Sequence, residues 1–191
     1  MYYEQLFSYS GLSKLFGRSD KSIKEYLEAF AKAHLIYEVD LFSYSLKKQM
    51  QSPKKVYSID TGQSNAMGFR FSANLGRLLE NLIFIDLKRL NLDVYYFRSA
   101  ADYEVDFVIK DGVDLGLIQV VWDLNSSEIR KRELRALQEA MNELECKTGA
   151  VIVAEEALSM EPGMENIIII PAYKYLMMND TQQKELFLRK N

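Results

Sequence analysis

The sequence predicts a mixed α/β chain of the α+β kind: helices leading into a small sheet, then a mixed sheet flanked by helices. Three observations predict it. Apolar residues recur at three- and four-residue steps in some stretches and form short continuous runs in others, the marks of amphipathic helices and buried strands. Of the 191 residues, 48% are hydrophobic, enough for a sizeable core in one large domain or two small ones. Charge also shifts along the chain: residues 1–66 hold nine cations and seven acids, leaving 15 cations and 20 acids for the remainder. Together with the loose TGQSNAMG from Thr61 to Gly68, this shift sets a boundary near residue 66, dividing the chain into 1–66 and 67–191.

Taken in order, LSKLFG reads as a short helix closed by Gly17. SDKSIKEYLEAFAKAHL reads as a longer helix capped by Ser19, with Ile23, Tyr26, Leu27, Phe30 and Ala33 forming one apolar stripe. Two helices joined by a tight GRS turn are a helix-turn-helix candidate. LIYEVD and VYSID then read as strands flanking the polar SLKKQMQSPKK, a basic hairpin, and helices followed by such a hairpin describe a winged helix. In the second part GRLLENLIFIDLKRL is helical, and DVYYFR, YEVDFVIK and LGLIQVVW are strands. A long helix follows in SSEIRKRELRALQEAMNELE, with Asn125 and Glu128 spaced as a capping box, and then GAVIVA and NIIIIP as buried strands.

Composition narrows the function classes. Lys+Arg of 24 against Asp+Glu of 27 gives a net charge of -3, so the whole chain lacks a polycation signature and any nucleic-acid site must be local. A single cysteine, Cys146, rules out a disulfide framework and a Cys/His zinc cluster, and fits a reducing compartment. The start MYYEQLFSYSG has no signal-peptide design, and the aliphatic run Ile167 to Ile170 is far shorter than the roughly 20 residues of a membrane span. The expectation is a cytoplasmic protein with no membrane partner.

Chemistry is expected where acids interrupt apolar strands. Asp106 alternates with Val105, Phe107 and Ile109, Gln119 follows Ile118, and Glu80 borders the apolar face of its helix. A carboxylate in such a place is costly without a partner. Metal-dependent phosphodiester cleavage needs two or three oxygens converging on Mg²⁺ at about 2.0–2.1 Å, with a cation near the attacking water. The other reading is that these polar groups are satisfied by hydrogen bonds within the fold.

In the first part, Ser19, Lys21, Ser22 and Lys24 stand at the start of the second helix, where a recognition helix meets DNA bases. Lys47, Lys48, Lys54 and Lys55 would be the wing that meets phosphates. The alternative is packing against a partner domain, because Asp20 and Glu25 would repel phosphate. In the cluster EIRKRELR, Glu128 with Arg132 and Arg135 with Glu139 are spaced as i,i+4 pairs of a solvated helix face.

The stretches GRLLENLIFIDLKR, VYYFRSAADYEVDFVIKDG and LIQVVWDL, followed by RELRAL, carry a resemblance. They resemble the restriction-endonuclease-like, or PD-(D/E)XK, region at the C-terminus of a large family of archaeal and bacterial AAA-type ATPases. LSKLFGRSDKSIKEYLEAFAKAHLIYEV and SPKKVYSIDTG resemble the winged helix that precedes it there. The resemblance implies that Glu80, Asp106 and Gln119 occupy nuclease-site positions, with Glu80 and Asp106 as metal ligands, and that Val121 stands where the family's lysine would be. Valine supplies neither charge nor hydrogen bond, so Arg98 or Arg132 would have to replace that cation. The resemblance further implies a degenerate nuclease domain that recognises DNA or a partner protein without catalysis, the alternative being a Mg-dependent endonuclease. No GxxxxGK[ST] loop is present, so ATP belongs to a motor domain outside these residues, and that ATPase domain of the same polypeptide is an expected partner. Within this chain the expected cofactor is none, or Mg alone.

Overall fold

The computed structural model describes residues 6–62, 75–155 and 166–188. It is an α+β chain with two sheets and, among the described residues, seven helices. Two compact units divide it, Met1–Arg70 and Phe71–Asn191. The boundary expected near residue 66 falls in 63–74, outside the described residues.

The first unit runs β1 (Leu6–Phe7), α1 (Tyr9–Phe16), α2 (Asp20–Lys32), β2 (Ile36–Val39), α3 (Leu46–Gln51) and β3 (Lys54–Ser58). Ser8 caps α1 by accepting from the Gly11 N–H, and Gly17 closes it in the left-handed conformation at φ 61°. Ser19 caps α2 in the same way, accepting from the Ser22 N–H at 3.1 Å. The three strands form an antiparallel sheet in the order β1-β3-β2. Ile23, Val39, Leu41, Phe42 and Tyr57 make its core.

Between β2 and β3 the expected basic hairpin is replaced by α3. The reason is local: Ser45 accepts from the Lys48 N–H and so caps a first turn, and LKKQMQ has no β-branched residue to oppose a helix.

The second unit opens with α4 (Leu75–Arg89) and continues through β4 (Asp93–Arg98), β5 (Glu104–Asp111) and β6 (Asp114–Val121). It then runs through α5 (Ser127–Glu143), β7 (Gly149–Val153), β8 (Ile167–Pro171), α6 (Ala172–Leu176) and α7 (Asp180–Phe187). The sheet order is β4-β5-β6-β7-β8, antiparallel as far as β6 and parallel from there. A parallel neighbour cannot follow by a hairpin, and α5 supplies the crossover from β6 to β7. All five residues of β7 are buried, which is why GAVIV carries no polar alternation.

The expected capping box at Asn125 does not form. Ser126 is the N-cap of α5 and makes no side-chain cap bond. The Asn125 backbone is tied into the preceding turn instead, its N–H donating to Asp123 Oδ1 at 2.7 Å and its carbonyl accepting from Arg130 Nη2 at 3.3 Å.

The C-terminal helices are fastened to α4 by one polar clamp. Arg89 donates to Asp86 at 3.0 Å, Asp180 at 2.8 Å and Gln183 at 2.9 Å. Gln183, fully buried, donates in turn to Asp86 Oδ2 at 2.8 Å and to the Tyr175 carbonyl at 3.1 Å. Burial and the nearby Asp86 carboxylate push the Tyr175 phenol well above its usual range.

Candidate functional site

β5 and β6 pair as a regular ladder from Asp111 opposite Asp114 to Phe107 opposite Ile118, and stop there. The β4–β5 register also shifts, between Tyr95 and Phe97, opposite the same part of β5. Backbone groups beyond the last ladder pair need other partners, and two side chains provide them. Gln119 Oε1 accepts from the Asp106 N–H at 3.2 Å, and Asp106 Oδ2 accepts from the Val120 N–H at 2.9 Å. Gln119 Nε2 then donates to Glu133 Oε2 of α5 at 2.6 Å. Asp106 and Gln119 are 8% and 5% exposed, so these bonds sit where an unmade one is expensive.

Strand alternation sorts the remaining candidates by face. The Phe107 ring lies 6.1 Å from that of Phe84 on α4, so Phe107 faces α4 and Asp106 faces away from it. Gln119 reaches Glu133 on α5, and Val121, two residues along, shares its face and is buried. Glu80 belongs to α4 and is half-buried there. Among the described residues no group of three or more His, Cys, Asp or Glu is placed to hold a metal ion. Asp106 commits one oxygen to the Val120 N–H and faces away from α4, the helix that carries Glu80, so the two carboxylates are not directed at one point.

Of the two replacement cations, one approaches the cluster. Arg132 donates Nε to Glu133 Oε1 at 2.9 Å, displacing the expected pairing with Glu128. Arg98 is engaged by Glu104 at 3.1 Å and Asp102 at 3.3 Å. Arg135 keeps a loose contact with Glu139 at 4.0 Å and lies 5.0 Å from the centre of the Tyr103 ring. Glu133 is the member of the cluster that sequence reading missed. Its signal was its place one turn before Leu137, at the border of the apolar stripe of α5.

In the first unit the candidate DNA contacts divide. Lys21, Lys24, Lys47 and Lys48 are exposed, with Lys24 3.9 Å from Glu28. Ser19 is occupied in capping, and its hydroxyl lies 3.0 Å from that of Ser22. Lys54 and Lys55 are corrections to the expected wing. The Lys54 ammonium pairs with Asp40 and lies 4.0 Å from Glu38, and Lys55 is 3% exposed, because both belong to β3 rather than to a projecting loop. Glu38 also accepts from the Tyr9 hydroxyl at 2.7 Å, which together with burial holds that phenol above its usual range.

Where cations withdraw, apolar surface is open. A groove of about 480 Å³ lies between α1 and α2, lined by Leu12, Phe16, Arg18, Ile23, Tyr26 and Phe30 among others.

The family described as Domain of unknown function (DUF4143) matches residues 75–175. A second, described as Domain of unknown function (DUF8612), matches residues 1–76. Among curated proteins the chain is similar to the uncharacterized protein MJ1544 of Methanocaldococcus jannaschii, 40% identical over 130 residues, covering 66% of this chain and 28% of that protein. It is also similar to an uncharacterized protein of Haemophilus influenzae, 26% identical over 107 residues, covering 56% of this chain and 26% of that one. The chain thus spans about a quarter of the length of these relatives. No solved structure matches it.

Proposed function

Because the chain belongs to the family described as Domain of unknown function (DUF4143), and each of its two units folds as described above, we propose that it is a recognition and regulatory module of a longer polypeptide and does not catalyse a reaction. In this reading the first unit is a winged helix whose wing carries α3. The second is a restriction-endonuclease-like domain that has lost its chemistry, and the longer polypeptide is an AAA-type ATPase with this module at its C-terminus. The length of the relatives supports a larger parent.

The observation that carries the reading is the use to which Asp106 and Gln119 are put. Both side chains complete backbone hydrogen bonding where β5 and β6 part, and Gln119 is held by Glu133. A nuclease needs such groups directed at metal and substrate, with a cation beside them, and Val121 supplies none. The competing reading, a Mg-dependent endonuclease with a migrated cation, draws on Arg132, whose guanidinium meets Glu133.

Incubating the chain with supercoiled plasmid and Mn²⁺ over a salt series tests both. The expected result is no nicking at any salt concentration. Nicking that Asp106→Ala abolishes would establish the endonuclease instead. The same gel reads DNA affinity, and a shift that fades as salt rises would name DNA as the partner.

A further inference from the structure

In the first unit the two leading helices leave much of their apolar surface open. α1 buries no residue and α2 buries only Ile23. Phe16, Tyr26 and Phe30 line the groove between them and are 63%, 56% and 49% exposed. Aromatic surface held in water is unfavourable, and a contiguous apolar patch in a concave setting marks a binding surface. A groove between two helices suits a third, seated by apolar residues at three- and four-residue steps.

Charge says what kind of helix. Among the residues lining the groove, Arg18 is the one that carries charge, and it makes no ion pair with the described residues. Of the unit's acids, Glu38 and Asp40 lie beside Lys54 and Glu28 lies 3.9 Å from Lys24, while Asp20 and Glu25 of α2 are exposed. Lys14, Lys21, Lys47 and Lys48 are exposed and in no ion pair among the described residues, and with Arg18 they outnumber the exposed acids Asp20 and Glu25, so the surface left to a visitor is on balance cationic. DNA would meet the same cations, but aromatic side chains rather than lysines fill the concave part of this unit.

Resting on the reading of this chain as a recognition module, we propose that the α1–α2 groove binds an amphipathic helix of a partner protein, one that carries carboxylates beside its apolar stripe. The stripe covers Phe16, Tyr26 and Phe30, and a carboxylate meets Arg18.

The test selects displayed random peptides of about 16 residues, roughly 24 Å long as a helix, against the intact chain. Enriched peptides are then measured by fluorescence anisotropy over a salt series. Enriched sequences are expected to space apolar residues by three and four and to be rich in Glu and Asp. Phe30→Glu and Tyr26→Glu should each weaken them about tenfold or more, and Arg18→Glu roughly three- to tenfold with a shallower salt dependence. All three side chains are exposed, so thermal unfolding should be unchanged and loss of binding is not loss of fold.

The proposal is overturned if nothing is enriched, if basic peptides are enriched, or if binding survives Phe30→Glu. It is also overturned if the chain dimerises through the groove, or if it binds duplex DNA in a way that Phe30→Glu abolishes. Absence of peptide binding together with absence of plasmid nicking removes this proposal alone and leaves the recognition reading in place.

Discussion

Gln119 is a side chain standing in for a strand. Its amide oxygen serves the Asp106 N–H and its amide nitrogen serves Glu133, so neither atom is replaceable by an apolar group of the same size. Gln119→Leu should cost about 1–3 kcal/mol in urea unfolding, because it strands a buried N–H and a largely buried carboxylate oxygen. Asp106 and Gln119 were legible in the sequence because polar residues in apolar strands are costly and therefore noticeable. Glu133 was not, since its partner lies 14 residues away and is met only when α5 folds back over the sheet. Lys54 and Lys55 misled for a related reason, as a run of lysines does not disclose which of them a strand will bury. Cys146 gives a second check at this scale. Burial pushes its thiol from an ordinary 9.0 up to about 11. The folded chain holds this proton more tightly than the unfolded one, so the group's contribution to stability is complete below about 9 and is lost as pH rises towards about 11. At pH 8 its reaction with a disulfide reagent should be slow in the native chain and fast in denaturant.

At the scale of elements, most of the fold was readable because period and caps agreed. Ser19 and Gly17 fix the turn between α1 and α2, and every strand of the second unit coincides with an apolar run in the sequence. The misreadings fell on short segments whose neighbours decide the outcome. SLKKQMQSPKK has the polarity of a loop, yet Ser45 turns part of it into α3, and Asn125 has the spacing of a capping box but gives its backbone to Asp123 and Arg130. Close approach between elements was invisible as well. At Gly116 of β6 a Cβ would stand 2.7 Å from the carbonyl oxygen of Phe187, the last residue of α7. Gly116→Ala should therefore displace α7 and cost about 1–3 kcal/mol, read as a lowered unfolding midpoint. Backbone cannot yield as a flexible side chain would, so relief requires the whole helix to move.

For the whole molecule, composition settled little beyond a chain able to fold, and a net charge of -3 hid the excess of cations in residues 1–66. Whole-chain charge averages over the two units, whereas a partner meets one face at a time. Among the described residues no helix is long and apolar enough to cross a membrane. A chain ending after Val153 should aggregate rather than fold, which light scattering would detect, because β7 would become an edge of five apolar residues. The order of the large sheet carries one more consequence. Its strands lie side by side in the order in which they occur along the chain, so each strand emerging from the ribosome finds its neighbour already made. Growth can proceed from β4 outwards without waiting for a distant segment to thread between earlier ones. The last described helix brings Asp180 and Gln183 to Arg89, which left the ribosome long before, so the clamp shuts only after α7 has emerged.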